Sequence, residues 1–298
     1  MPSVVDPDLP VQRIVEAAAV LPAYGGVTGW AALHWLGARW FEGVEGVEDD
    51  GRTLRPVALA IGPGNLRQDR LRAPTKERLA PDELLTDDGL PMTTVLRSVC
   101  FEVRHARDVR AAVVVLDMAC RADLVTVAEV RTYAAERLAS WTGVPQTRAA
   151  LDLADENVWS PQESLMRLQW VLDAGRAAPL TNRPVFGLDG RHLATPDLID
   201  PEAGVVGEYD GSGHLGGPQR HRDLIREERL RAAGLELVVQ VAADRRDPMG
   251  YLWRLRSAYE RAARRPAADR RFTLELPPGW VPTHAVEQRR ALRRASAA

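Results

Sequence analysis

Residues 193–210, LATPDLIDPEAGVVGEYD, decide the fold. Two apolar runs, 193–199 and 205–209, flank the turn sequence Asp200-Pro201-Glu202-Ala203-Gly204, which predicts antiparallel strands joined by a five-residue turn. That pairing sets Asp197, which follows Pro196, beside Glu208 at one end of the sheet, with Asp210 just beyond Tyr209. Carboxylates left side by side repel one another. A hard divalent cation removes the repulsion, and Mg²⁺ or Mn²⁺ held by one or two carboxylates and substrate phosphate oxygens suits such a pair. Taken singly, each acid also has a plainer reading, Asp197 as a strand end and Glu208 to Gly211 as a hairpin turn.

The flanking sequence extends the sheet. Ser160-Pro161-Gln162-Glu163 is a helix start with proline at the first helical position and an acid at the third, followed by Leu165, Leu168, Val171 and Leu172 up to Ala174-Gly175. A strand at 183–186 precedes the hairpin. Beyond it come a charged helix at 223–233, a continuous apolar strand at 235–241 and a helix at 249–263. The order helix, strand, strand, strand, helix, strand, helix implies a mixed sheet whose last strand returns parallel to an earlier one. Glu163 reaches the acidic pair from the first helix, although its place in a capping box explains it equally well.

Before residue 156 the pattern is mainly helical. Helical periodicity covers 11–21, 27–36, 93–103, 109–120 and 145–153, and another helix starts at Thr126 with Glu129 in a capping box. Residues 55–61 read as a buried strand, and 65–92 as loop. Residues 266–298 alternate proline and arginine and read as a loose extension with a short final helix. The expected organisation is therefore 1–155, 156–265 and 266–298.

The chain has 298 residues with 45% apolar residues and a net charge of −2, enough for two cored domains. Of its 39 basic residues only Lys76 is lysine, so arginine abundance reflects composition before function. The charge is uneven: −10 over residues 1–217 and +8 over 218–298. A basic end suits contact with a polyanion, and solvated helix faces explain it too. Cys100 and Cys120 lack metal-ligand spacing, and no signal peptide or membrane-length apolar run is present, so a reducing cytosol is expected, with no membrane partner.

Pro196-Asp197, Glu208-Tyr209-Asp210-Gly211 with His214, then Asp223, Arg226, Leu230, Gly234 and Val238-Val239 resemble the endonuclease-like domain akin to very-short-patch-repair (Vsr) nucleases of the PD-(D/E)XK superfamily. The resemblance spans about residues 160–260. It implies an α/β protein with a restriction-endonuclease-like αβββαβ core and a Mg²⁺- or Mn²⁺-dependent DNA endonuclease activity in phage defence or DNA repair. By position it makes Asp197 and Glu208 metal ligands, Glu163 the helix acid of the first motif, and Arg222 and Arg226 nucleic-acid contacts. Asp210 stands where many relatives carry lysine, which leaves His214, Asp210 or a second metal ion to activate the attacking water. A nuclease that cuts both strands needs two active sites, which makes a homodimer an expectation. The rival is a non-cleaving DNA-binding antitoxin or regulator on the same scaffold.

Residues 27–37, the strand near Val57, Thr93-Thr94 with Arg97 and the helix at 111–119 resemble the region before the nuclease domain in actinobacterial proteins related to abortive-infection (AbiEi-like) antitoxins. That resemblance implies a winged-helix relationship and a cognate toxin or defence partner. The stretch 28–36 is too apolar for an exposed recognition helix; Trp30, Leu33, Trp35 and Leu36 read as core.

Overall fold

Internal packing divides the chain into two units, Met1–Asp155 and Glu156–Ala298. The computed structural model describes residues 6–45, 53–211 and 217–297. Among these, no helix is long and apolar enough to cross a membrane.

The first unit runs α1 (Pro10–Ala18), β1 (Gly26–Val27), α2 (Trp30–Trp35), β2 (Val57–Ala60), β3 (Arg72–Thr75), β4 (Leu84–Asp87), β5 (Leu90–Thr93), α3 (Val95–His105), α4 (Val109–Arg121), α5 (Val127–Arg137) and α6 (Val144–Leu153). Its strands form one mixed sheet in the order β3-β2-β1-β5-β4. The expected loop at 65–92 is thus corrected: it holds β3, β4 and the start of β5. The β4–β5 hairpin turns at Asp88-Gly89, both at positive φ (46° and 78°), the two-residue geometry that matches strand twist. Trp30, Ala31, Ala32 and Leu33 of α2 are buried, as expected of a core helix, whereas Trp35 and Leu36, also expected in the core, are only half-buried. Thr126 and Glu129 form the reciprocal cap of α5. Cys100 and Cys120 are buried and not joined in a disulfide, and burial pushes the Cys100 thiol up to about 12.

The second unit runs α7 (Pro161–Leu168), which continues into a π-helical turn at Gln169–Asp173, then β6 (Leu180–Thr181), β7 (Val185–Gly187), β8 (His192–Ala194), β9 (Leu198–Asp200), β10 (Val205–Asp210), α8 (Gly217–Ala232), β11 (Glu236–Val241), α9 (Pro248–Ala263), β12 (Phe272–Thr273) and α10 (Val286–Ala297). Its main sheet has the order β11-β10-β9-β6. β9 and β10 are antiparallel, and β11 returns over α8 to lie parallel to β10, so the sheet is mixed, as the element order implied. Met166, Trp170, Tyr251 and Leu255 pack on one face against Leu198, Val205 and Val238. Leu230 packs on the other with Ile199, Val206 and Leu235. Gly207 is required where Trp170 crosses β10, because a Cβ there would lie 2.8 Å from the indole.

Three expectations for this unit need correction. The single strand at 193–199 is two strands in different sheets: β8 joins β7 and β12, while β9 joins the main sheet. Pro196 has no N–H to give to a ladder, so the chain breaks there and Asp197 sits just before β9. The strand at 183–186 is likewise displaced, with β6 in the main sheet and β7 outside it. Nor is the tail simply loose. β12 pairs with β7, and α10 runs for 12 residues, its start held to Glu156 by the Val286 N–H at 2.9 Å and by Arg289 at 3.0 Å.

Candidate active site

β9 and β10 build the site. Their ladder pairs Gly207 with Leu198, so the next positions outward are Glu208 and Asp197. The Asp197 carboxylate takes over where the ladder stops, its Oδ2 accepting the Tyr209 main-chain N–H at 2.7 Å. Glu208 follows Val206 on the side of β10 that faces α8. There its Oε1 accepts from Arg226 Nη2 at 2.6 Å, and the same nitrogen donates to the Thr195 carbonyl at 3.0 Å.

Glu163 enters from the first turn of α7. Ser160 caps that helix by accepting the Glu163 N–H at 3.2 Å. The Glu163 side chain does not complete a reciprocal box. Instead its Oε2 accepts from the Trp159 N–H at 2.9 Å and from Asn182 Nδ2 at 2.8 Å. Asn182, only 4% exposed and at φ 46°, also donates to the Asn157 carbonyl, which fixes its amide orientation. Its Oδ1 is buried with no hydrogen-bond partner among the described residues.

The three carboxylates feel one another. Burial and the charge of Glu163 push Asp197 up to about 6, against the Tyr209 hydrogen bond and Arg226. Burial, then Asp197 and Glu163, push Glu208 up to about 8, against the pull of Arg226. Among the described residues the cluster therefore holds three carboxylates and an orphaned amide oxygen against one guanidinium, that of Arg226. One oxygen of each carboxylate, Oε1 of Glu163, Oδ1 of Asp197 and Oε2 of Glu208, receives no hydrogen bond from the described residues. Among those residues no three acidic, histidine or cysteine side chains converge as a ready-made metal cage. The donor set fits an open site, in which a hard cation keeps water or phosphate oxygens and takes one or two carboxylates.

Of the residues singled out by sequence, the structure brings together Glu163, Asp197, Glu208 and Arg226. Asp210 closes β10 at its exposed end, and the carboxylate charges acting on Asp197 and Glu208 are those of the cluster itself. His214 and the Arg222 side chain lie outside the described residues. Arg226, expected as a nucleic-acid contact, is engaged with Glu208. Sequence reasoning passed over Asn182, Thr195 and His192, none of which lies in a recognisable motif; His192 Nε2 is hydrogen-bonded to Thr195 Oγ1 at 3.1 Å.

No protein-family model matches the chain, and neither a curated protein nor a solved structure matches it.

Proposed function

We propose that the second unit is a Mg²⁺- or Mn²⁺-dependent endonuclease module that hydrolyses phosphodiester bonds in DNA, on a restriction-endonuclease-like αβββαβ core of the Vsr-like kind, in phage defence or DNA repair. The observation that carries this reading is the excess of acceptors over cations, among the described residues, where β9 and β10 part. Burying mutually repelling carboxylates lowers stability, and a scaffold without chemistry gains nothing from it. Asp197 and Glu208 are the residues that would hold the cation. When bound, such a cation lowers the pKa of a water and offsets charge on the phosphate in the transition state. The chain's own groups do the positioning: the Tyr209 N–H orients Asp197, Arg226 orients Glu208, and Trp159 with Asn182 holds Glu163 beside them. Asp210 or His214 accepts the water's proton.

Incubation of supercoiled plasmid with Mg²⁺ or Mn²⁺ tests this. Wild type nicks, and Asp197→Ala and Glu208→Ala do not; equal nicking by all three, or none by wild type, sinks the reading.

A second reading has its own support. The 2.6 Å Arg226–Glu208 ion pair already neutralises one carboxylate, and the only lysine of the chain, Lys76, belongs to the other unit. Both favour a DNA-binding antitoxin or regulator that keeps the fold without cleavage. It requires tight, salt-sensitive DNA binding that EDTA leaves unchanged.

A further inference from the structure

Pro277-Pro278-Gly279-Trp280 is a tight turn closed by the Trp280 N–H on the Pro277 carbonyl at 3.1 Å, with Gly279 at φ 89°. Proline at the second position and left-handed glycine at the third are the type II pattern, which fixes where the indole is presented. The ring lies against β7 and β8. It meets buried Phe186 edge-on at 4.9 Å and lies 5.2 Å from the His192 imidazole, tilted by 32°. Phe186 backs the stack, yet Trp280 keeps 45% of its surface exposed and His192 is exposed as well.

Three hydrogen bonds tie this half-open stack to the carboxylates. His192 Nε2 meets Thr195 Oγ1, the Thr195 carbonyl accepts from Arg226, and Arg226 donates to Glu208. Burial, then the Arg226 charge, lower the proton affinity of His192 against a backbone hydrogen bond at Ala194, which favours the uncharged ring. Exposed Arg191 directly precedes His192 in the chain, and the half-buried Arg226, paired with Glu208, is close enough for its charge to act on the imidazole. A half-exposed aromatic face, with an exposed arginine next to it in the chain and a hydrogen-bonded link to the carboxylate cluster, has the composition of a single-strand contact, in which bases stack and cations meet the backbone.

We propose that Trp280 and His192 form a stacking platform for an unpaired nucleobase of the DNA strand presented to the carboxylate cluster. The inference rests on the nuclease reading above and gives the C-terminal segment a role in substrate binding.

The test is equilibrium binding by fluorescence anisotropy in EDTA, with labelled oligo-dT and a strand of equal length made of abasic sites. Wild type binds oligo-dT about tenfold more tightly than the abasic strand, within the range a stacked base contributes. Trp280→Leu, which keeps apolar packing on Phe186, loses that preference, and Trp280→Phe retains most of it. Equal binding of both strands by wild type overturns the platform, as does a Trp280→Leu protein of unchanged melting temperature that keeps the preference. In either case Asp197-dependent plasmid nicking would leave the nuclease reading standing. Absence of both DNA binding and nicking in wild type removes the two together.

Discussion

Tyr209 donates its main-chain N–H to the Asp197 carboxylate, 2.7 Å away, so a side chain continues the ladder that Pro196 interrupts. Asp197 thereby has a structural duty beside the chemical one proposed for it, and substitutions separate them. Asp197→Asn keeps an oxygen acceptor for Tyr209 and changes stability by less than about 1 kcal/mol, whereas Asp197→Ala orphans the N–H and costs about 1–3 kcal/mol. Urea unfolding of the two variants checks this, and both are expected to lose plasmid nicking.

Helix capping and the proposed catalysis separate in the same way at α7. Ser160→Ala removes the N-cap acceptor and costs about 1 kcal/mol, with nicking retained once folding is complete. Glu163→Gln keeps an acceptor for Trp159 and Asn182 but drops the charge, so stability holds while nicking falls at least about tenfold. Paired denaturation and nicking assays decide it; equal activity loss in both variants would reduce Glu163 to a structural residue.

The carboxylates give the second unit a defined pH response. Asp197 at about 6 and Glu208 at about 8 bind protons more tightly in the folded protein than in the unfolded chain. Their contribution to stability is full below the unfolded values near 4 and is lost as pH rises through the folded values. The melting temperature of this unit should therefore fall between about pH 5 and pH 8.5, with Glu208→Gln flattening the upper part of that fall. Millimolar Mg²⁺ should raise it more at the alkaline end. Calorimetry across this range reads all three effects.

Gly207 sets the spacing between β10 and Trp170. Gly207→Ala drives a Cβ to 2.8 Å from the indole and is expected to cost about 1–3 kcal/mol as the ring or strand shifts. Loss of denaturation midpoint in Gly207→Ala, with partial recovery on adding Trp170→Phe, is the outcome that ties the effect to this contact.

What the sequence made legible was local. The turn at 200–204, the Thr126 cap and the helices at 109–121 and 248–263 depend on neighbouring residues, and their chemistry reads directly. Two misreadings also had local signals. Pro196 forbids a continuous ladder through 193–199, and Asp88-Gly89 between apolar runs marks a hairpin inside a stretch read as loop. The remainder was hidden because it is non-local. The two-residue strands β6 and β12 exist only through partners far along the chain, and no spacing rule connects Asn182 to Glu163 or Arg226 to Glu208. Asp197 and Glu208 were legible as neighbours because one short turn joins their strands.

The clasp between Glu156 and the start of α10 joins positions 130 residues apart, and β12 closes onto β7 from the same end of the chain. During synthesis both contacts must wait until residues 272–289 have left the ribosome. Chain truncated near residue 265 would keep the carboxylate strands yet leave one side of β7 without its partner, an open edge prone to pairing with other chains. Completion of the second unit thus waits on β12 and α10, and nascent chains stalled short of them should be the aggregation-prone species.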